Sequence, residues 1–304
     1  MTPAEGVARH RILIAGCGDV GSALGVELAT QGHEVFGLRR NVRALPDSLH
    51  PVAADLGRPE SLADLPPNLD AVVYAAAADR TDETAYRSAY VDGVDHLVAA
   101  LVAQEQQPRC LLFTSSTGVY GQSSGEWVDE TSATEPRRFT GKLVLEGERR
   151  VASCPWPSTS VRFGGIYGPG RGRLLARVRQ GGLTVDRRHP AYTNRIHRDD
   201  CAGALAHLLN LSFGGGDLAG APLPQAVVGV DDAPAPRHEV YDWLADRLGV
   251  PRPAEADGAA GAGLHGGSKR CRNTLLRSLG YDFRYPTYRE GYAELLGDRQ
   301  PLSP

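Results

Sequence analysis

The segment Gly16-Cys-Gly-Asp-Val-Gly21 limits what this chain can fold into more than any other. Its G-x-G-x-x-G spacing follows a short apolar run, Arg11-Ile-Leu-Ile-Ala15, and leads into a stretch in which Leu24 and Leu28 fall on one helical face. Gly32 closes that helix, and His33-Glu-Val-Phe-Gly-Leu38 reads as a second strand. In a strand–turn–helix–strand setting each glycine has a task. Gly16 permits a tight turn, Gly18 lets the backbone approach a pyrophosphate, and Gly21 lets helix pack on strand. The N–H groups where the helix starts, at Asp19 and Val20, are then expected to meet the anionic phosphates, with the Asp19 carboxylate turned to solvent.

The alternation continues. Residues 52–54, 70–76, 109–114 and 159–162 read as strands, and 86–104 and 141–152 as helices. Parallel neighbours need a crossover, so this order predicts an α/β fold, a doubly wound parallel sheet of the Rossmann kind, over residues 10–168. Past Pro169 the pattern loosens into helices at 174–179, 199–209, 238–248 and 273–279 with one strand at 226–229. Residues 169–304 therefore read as a smaller, mostly helical substrate-side lobe, interleaved with the sheet. Residues 1–10 read as a disordered tail, and 251–268, rich in Gly, Ala and Pro, as a mobile loop.

Net charge is −3, so no basic field points to nucleic acid or an anionic membrane. The longest apolar runs are strand-sized, and residues 1–10 have no apolar core of a signal peptide. Cys17, Cys110, Cys154, Cys201 and Cys271 are scattered without a CxxC pair, which argues against a disulfide framework or a metal site. The expected setting is a reducing cytoplasm.

The end of the second strand carries the choice of cofactor. An acid there would bond a ribose 2′-OH; this chain has Arg39-Arg40-Asn41. Arginine forks suit a 2′-phosphate, so NADP is favoured over NAD. Asp55 and Leu56 are placed to touch the adenine. Ala75, Ala76 and Ala77 are small enough for the dinucleotide to lie against the backbone.

Three blocks carry a family likeness: 114–121 (TSSTGVYG), 165–170 (GIYGPG) and 194–200 (NRIHRDD). In order and spacing they resemble the extended short-chain dehydrogenases/reductases, which include NAD-dependent epimerases and dehydratases. The shorter glycine loop and the late segments SKRCRN (268–273) and REGY (289–292) resemble the atypical YeeZ-like subgroup. The resemblance implies a small-molecule substrate and an active site of Ser, Tyr and Lys, with an Asn on the long helix. Ser116 matches the serine and Lys142 the lysine, one of only two lysines among 33 basic residues. The tyrosine position, four before Lys142, holds Arg138, and Tyr90 stands at the Asn position. Ser116, Lys142 and Tyr90 are thus the candidate catalytic residues, with Lys142 also touching the cofactor. Thr117, Tyr120, Arg195 and Lys269 are the candidate substrate contacts. His197, Asp199 and Asp200 read as a structural helix start rather than a metal site. The family often dimerises through the helices that carry Tyr90 and Lys142, which implies a homodimer. Two functions follow: an oxidoreductase or epimerase/dehydratase-like enzyme acting on a small hydroxylated, anionic molecule, or a non-catalytic NADP(H)-binding sensor or regulator.

Overall fold

The computed structural model describes residues 8–215, 222–256 and 267–297. In chain order the elements are β1 (Arg11–Ala15), α1 (Asp19–Thr30), β2 (Glu34–Arg39), β3 (His50–Ala53), β4 (Ala71–Tyr74), α2 (Glu83–Arg87), α3 (Gly93–Ala103), β5 (Cys110–Ser116), β6 (Glu126–Val128), α4 (Phe139–Ala152), β7 (Ser158–Phe163) and β8 (Gly165–Tyr167). They continue as α5 (Arg173–Gln180), β9 (Thr184–Val185), β10 (Tyr192–Thr193), β11 (Arg195–His197), α6 (Arg198–Ser212), β12 (Ala226–Gly229), β13 (Ala235–Pro236), α7 (Arg237–Leu248), β14 (Ala254–Glu255), β15 (Lys269–Cys271), α8 (Thr274–Ser278) and α9 (Tyr288–Leu295). The chain forms two compact units and passes between them repeatedly. One comprises Met1–Ser116, Arg137–Arg162 and Ala202–Val227; the other comprises Thr117–Pro136, Phe163–Cys201 and Val228–Pro304.

The first unit is built on a sheet of order β12-β7-β5-β4-β1-β2-β3, and β3-β2-β1-β4-β5 pair in parallel. Ile12 to Ala15 and Ala71 to Tyr74 are buried throughout, as strands covered on both faces must be. The chain leaves β1 toward β2 and β3, then returns to β4 and β5 on the other side. The strand order therefore reverses between β1 and β4, where sheets of this class open a crevice at their carboxyl ends.

The stretch expected as one helix over 86–104 is interrupted. Ser88–Asp92 forms a π turn between α2 and α3. The Tyr74 hydroxyl donates to the Ala89 carbonyl inside it at 2.5 Å, and a Cβ on Gly93 would come within 2.5 Å of that hydroxyl. A bulky ring thus reaches into the helix, and the widened turn accommodates it. The expected tail also needs correcting at its last residue. His10 is buried and stacks on Phe213 with ring centroids 3.7 Å apart. Residues 1–7 lie outside the described residues.

The second unit is made of short strand pairs: β6 with β15, β8 with β11 and β9 with β14 in parallel, and β10 with β13 antiparallel. Its core gathers Tyr167, Leu175, Val178, Val240, Leu244, Tyr288 and Tyr292. Helix α9, absent from the sequence reading, starts with a capping box in which Thr287 and Glu290 bond each other's backbone N–H. The expected loop at 251–268 contributes β14, and its residues 257–266 lie outside the described residues.

Candidate functional site

In the glycine turn each glycine stands in a different setting. Gly16 has φ +82°, and a Cβ there would lie 2.4 Å from the backbone of Ala76. Only glycine lets β1 turn that close to the end of β4. A Cβ on Gly18 would meet nothing nearer than the Gly16 carbonyl at 3.9 Å, so its backbone faces open space. At Gly21 a Cβ would press on the Ile14 side chain at 3.0 Å, where α1 rests on β1. Gly18 caps α1 without a side-chain hydrogen bond. Gly18 itself thus offers no side-chain acceptor to the first N–H groups of α1, and Asp19 is exposed beside them. A close-approach turn, a helix start with glycine at its N-cap and an open Gly18 fit a dinucleotide pyrophosphate.

Around this turn the parallel strands bring the other candidates to one edge of the sheet. Arg39 ends β2, where its Nη1 reaches the Ala44 carbonyl at 3.4 Å. Arg40 is exposed and pairs with Asp79 at 2.7 Å. With both partners well exposed, that pair is worth about 0–1 kcal/mol and can yield to a phosphate. Asp55 uses its carboxylate to accept the Gly57 N–H at 3.0 Å, ordering the turn after β3 rather than pointing outward. The Leu56 carbonyl bonds His96 at 2.7 Å. Ala75 and Ala76 are half-buried and Ala77 is exposed, so the backbone after β4 is accessible.

Ser116 ends β5, and Lys142 stands exposed in the first turns of α4. Arg138 is the N-cap residue of α4, outside the helix and exposed. Tyr90 lies in the π turn, with its ring 5.3 Å from Tyr86 and edge-on to Phe113 at 6.5 Å. Tyr86 in turn meets Phe139, the neighbour of Arg138, at 5.7 Å. A Cβ on Gly147 would lie 2.3 Å from the Tyr90 carbonyl, so α4 and the π turn touch through backbone. Burial, then Tyr86, push the Tyr90 phenol up to about 12. Tyr90 therefore keeps its proton at neutral pH.

Behind Ser116 lies a buried network that the sequence reading missed. Ser115 Oγ donates to Glu148 Oε1 at 2.5 Å, and Arg162 donates to both Glu148 oxygens, Nε at 2.9 Å and Nη2 at 2.8 Å. All three residues are buried. The network ties the ends of β5 and β7 to α4 and so fixes the elements that carry Ser116 and Lys142. The signal was Arg162 itself, a charge inside an otherwise apolar strand, which a core tolerates only when paired.

The remaining candidates belong to the second unit. Thr117 is buried in the turn after β5. Tyr120 is buried, and its hydroxyl donates to the Asp129 carbonyl at 2.7 Å. Arg195 is buried, with Nη1 2.6 Å from Thr193 Oγ1 and its guanidinium 5.9 Å from the Tyr288 ring. Lys269 sits in β15 at 2% exposure, and burial lowers its ammonium below the usual lysine range. His197 is fully buried at the start of α6, and Asp200 accepts from Tyr281, Arg284 and Tyr285. Among the described residues no group of three or more His, Cys, Asp or Glu side chains is arranged to hold a metal.

The comparison with known sequences agrees with this geometry. The family model for the NAD dependent epimerase/dehydratase family matches residues 12–200, the span from β1 to the start of α6. The chain belongs to that family. Protein YeeZ of Escherichia coli (strain K12) is 30% identical over 297 residues, covering 91% of this chain and 96% of its own. A 3-diazoavenalumate denitrifying reductase from Streptomyces sp is 27% identical over 321 residues, covering 92% of this chain and 98% of its own. Among solved structures, an NAD-dependent epimerase/dehydratase-like protein from Methylobacillus flagellatus superposes with a TM-score of 0.77 at 36% identity, over 95% of this chain and 98% of that one. This epimerase/dehydratase-family protein is thus an NAD(P)-binding Rossmann protein of the short-chain dehydrogenase/reductase type. No helix among its described residues is long and apolar enough to cross a membrane.

Proposed function

We propose that this family member is an NADP(H)-dependent oxidoreductase that acts on a small hydroxylated, anionic substrate and uses Tyr90 where its family pattern has a tyrosine at position 138. The observation that carries this reading is the close backbone contact between Tyr90 and Gly147 of α4, the helix that also carries Lys142. It sets the π turn that bears this phenol against the helix of Lys142. Bound NADP(H) supplies or takes up a hydride. The N–H groups of α1 hold the pyrophosphate, and Arg39 and Arg40 receive the 2′-phosphate. Lys142, a compact donor, steadies the nicotinamide ribose, and Ser116 orients the substrate oxygen. Tyr90 holds the proton that the substrate oxygen takes. Thr117, Arg195 and Lys269 are read as substrate-side groups, and the two cations give the substrate its anionic character. The reductase name of the Streptomyces relative supports redox chemistry on this fold.

The test uses stereospecifically deuterated NADPH with a panel of carbonyl acids. Deuterium should appear in a product, and Tyr90→Phe should cut the rate about 100-fold while leaving NADPH affinity unchanged. Full turnover by Tyr90→Phe would remove that residue from the mechanism. Tight NADPH binding with no turnover across the panel would instead favour a non-catalytic NADP(H)-binding sensor. Arg138 is the observation on that side, because a guanidinium does not trade its proton at neutral pH.

A further inference from the structure

We infer that the second unit carries a seat for an oxyanion, phosphate or carboxylate, formed by Arg270 and Arg272 on β15 around Trp127 on β6. The two strands pair in parallel with Arg270 opposite Trp127, and Arg272 follows two residues on, so all three side chains share one face. The Arg270 guanidinium is held between two rings, 4.8 Å from the centre of Trp127 and 4.9 Å from that of Tyr192. Its Nε donates to the Gly125 carbonyl at 2.8 Å. The Arg272 guanidinium lies over the same indole at 5.0 Å.

Stacking satisfies the faces of a guanidinium but not its N–H edges. Among the described residues no carboxylate pairs with either arginine, whereas Arg40, Arg150, Arg162, Arg187, Arg252 and Arg277 each have one. A nearby acid is Asp129, whose Oδ1 accepts from Thr131 and Ser132; Arg272 helps to lower its pKa but makes no ion pair with it. Trp127 remains 45% exposed, so solvent and solutes reach the cluster. Two preoriented forks with unused donors, one clamped between rings, match the planar bidentate geometry of a phosphate or carboxylate. The seat lies within the second unit and does not rest on the proposed reaction.

The indole serves as reporter. The full chain, saturated with NADPH, is titrated with inorganic phosphate and, separately, with benzoate at constant ionic strength, following tryptophan fluorescence. A saturable change that Trp127→Phe abolishes should appear with at least one anion, and the responding arm tells phosphate from carboxylate. Arg272→Ala, at an exposed position, should weaken that binding about tenfold, and Arg272→Lys should restore part of it. Arg252→Ala, at a surface ion pair, should leave it unchanged. No saturable response to either anion in the millimolar range would overturn the inference. So would equal affinity in wild type and Arg272→Ala with circular dichroism unchanged.

Discussion

The paired strands β1 to β5 of the first unit run four to seven residues and bond to one another through their backbones. The short strands of the second unit, such as β9, β10, β11 and β15, run two or three residues, and side chains do much of the tying. Asn194 gives Nδ2 to the Lys269 carbonyl at 3.0 Å and takes the Cys271 N–H at 2.7 Å. Glu130 takes the Val228 N–H at 2.7 Å, and Ser268 Oγ takes that of Tyr192 at 3.1 Å. Asp200 collects the Tyr281 hydroxyl at 2.9 Å and the N–H groups of Arg284 and Tyr285 at 2.7 and 3.0 Å. One unit is thus ordered by long ladders over an apolar core. The other depends on a few polar side chains that supplement short ladders across long sequence separations.

The sharpest way to break that contrast is Asp200→Ala. Three donors would lose their acceptor together, and stability should fall by about 4 kcal/mol in urea unfolding. A loss below about 1 kcal/mol would show that the second unit does not lean on this residue. In the first unit a comparable effect should come from backbone geometry. Gly16→Ala forces a Cβ toward Ala76 at a positive φ, so NADPH binding should be lost while far-ultraviolet circular dichroism stays near wild type. Retained binding would mean that the turn is not the cradle.

A smaller, pH-dependent effect should mark Asp231 in the second unit. Its Oδ1 accepts the Ala233 N–H at 3.1 Å, and its Oδ2 is buried without a hydrogen bond. Burial raises this carboxyl to about 8. The folded chain therefore binds the proton more tightly than the unfolded one. The resulting stability is complete below the ordinary carboxyl range and is lost as pH climbs from about 4 toward 8. Asp231→Asn should flatten the fall in Tm over that range and leave the variant more stable than wild type at pH 8. An unchanged slope would place the burden elsewhere.

The same contrast explains what was legible in the sequence. Strands β1, β2, β4 and β5 are apolar runs long enough to show, and the glycine spacing between β1 and α1 has a meaning that survives without neighbours. Arg39 and Arg40 were readable because position after β2 is local. Residues 126–128 and 269–271 carry no period of their own; they form strands by pairing with each other across a long sequence separation, with Asn194 bonding residues 269 and 271 from a third segment. The Ser115–Glu148–Arg162 network likewise joins three elements, and only the buried arginine hinted at it. The π turn at Tyr90 needed Tyr74, which is distant in sequence and adjacent in the sheet. The capping box at Thr287 and Glu290 was local and was overlooked.

We propose that the first unit holds NADP(H) in the glycine cradle with Arg39 and Arg40 at the 2′-phosphate. The most direct measurement is calorimetric titration of the full chain with NADPH and with NADH, for wild type and for Arg39→Ser/Arg40→Ser. NADPH should bind more tightly than NADH to wild type, and the double variant should lose most of that preference while NADH affinity barely moves. No binding of either dinucleotide would contradict the cradle, and an equal loss for both would contradict the role of the arginines.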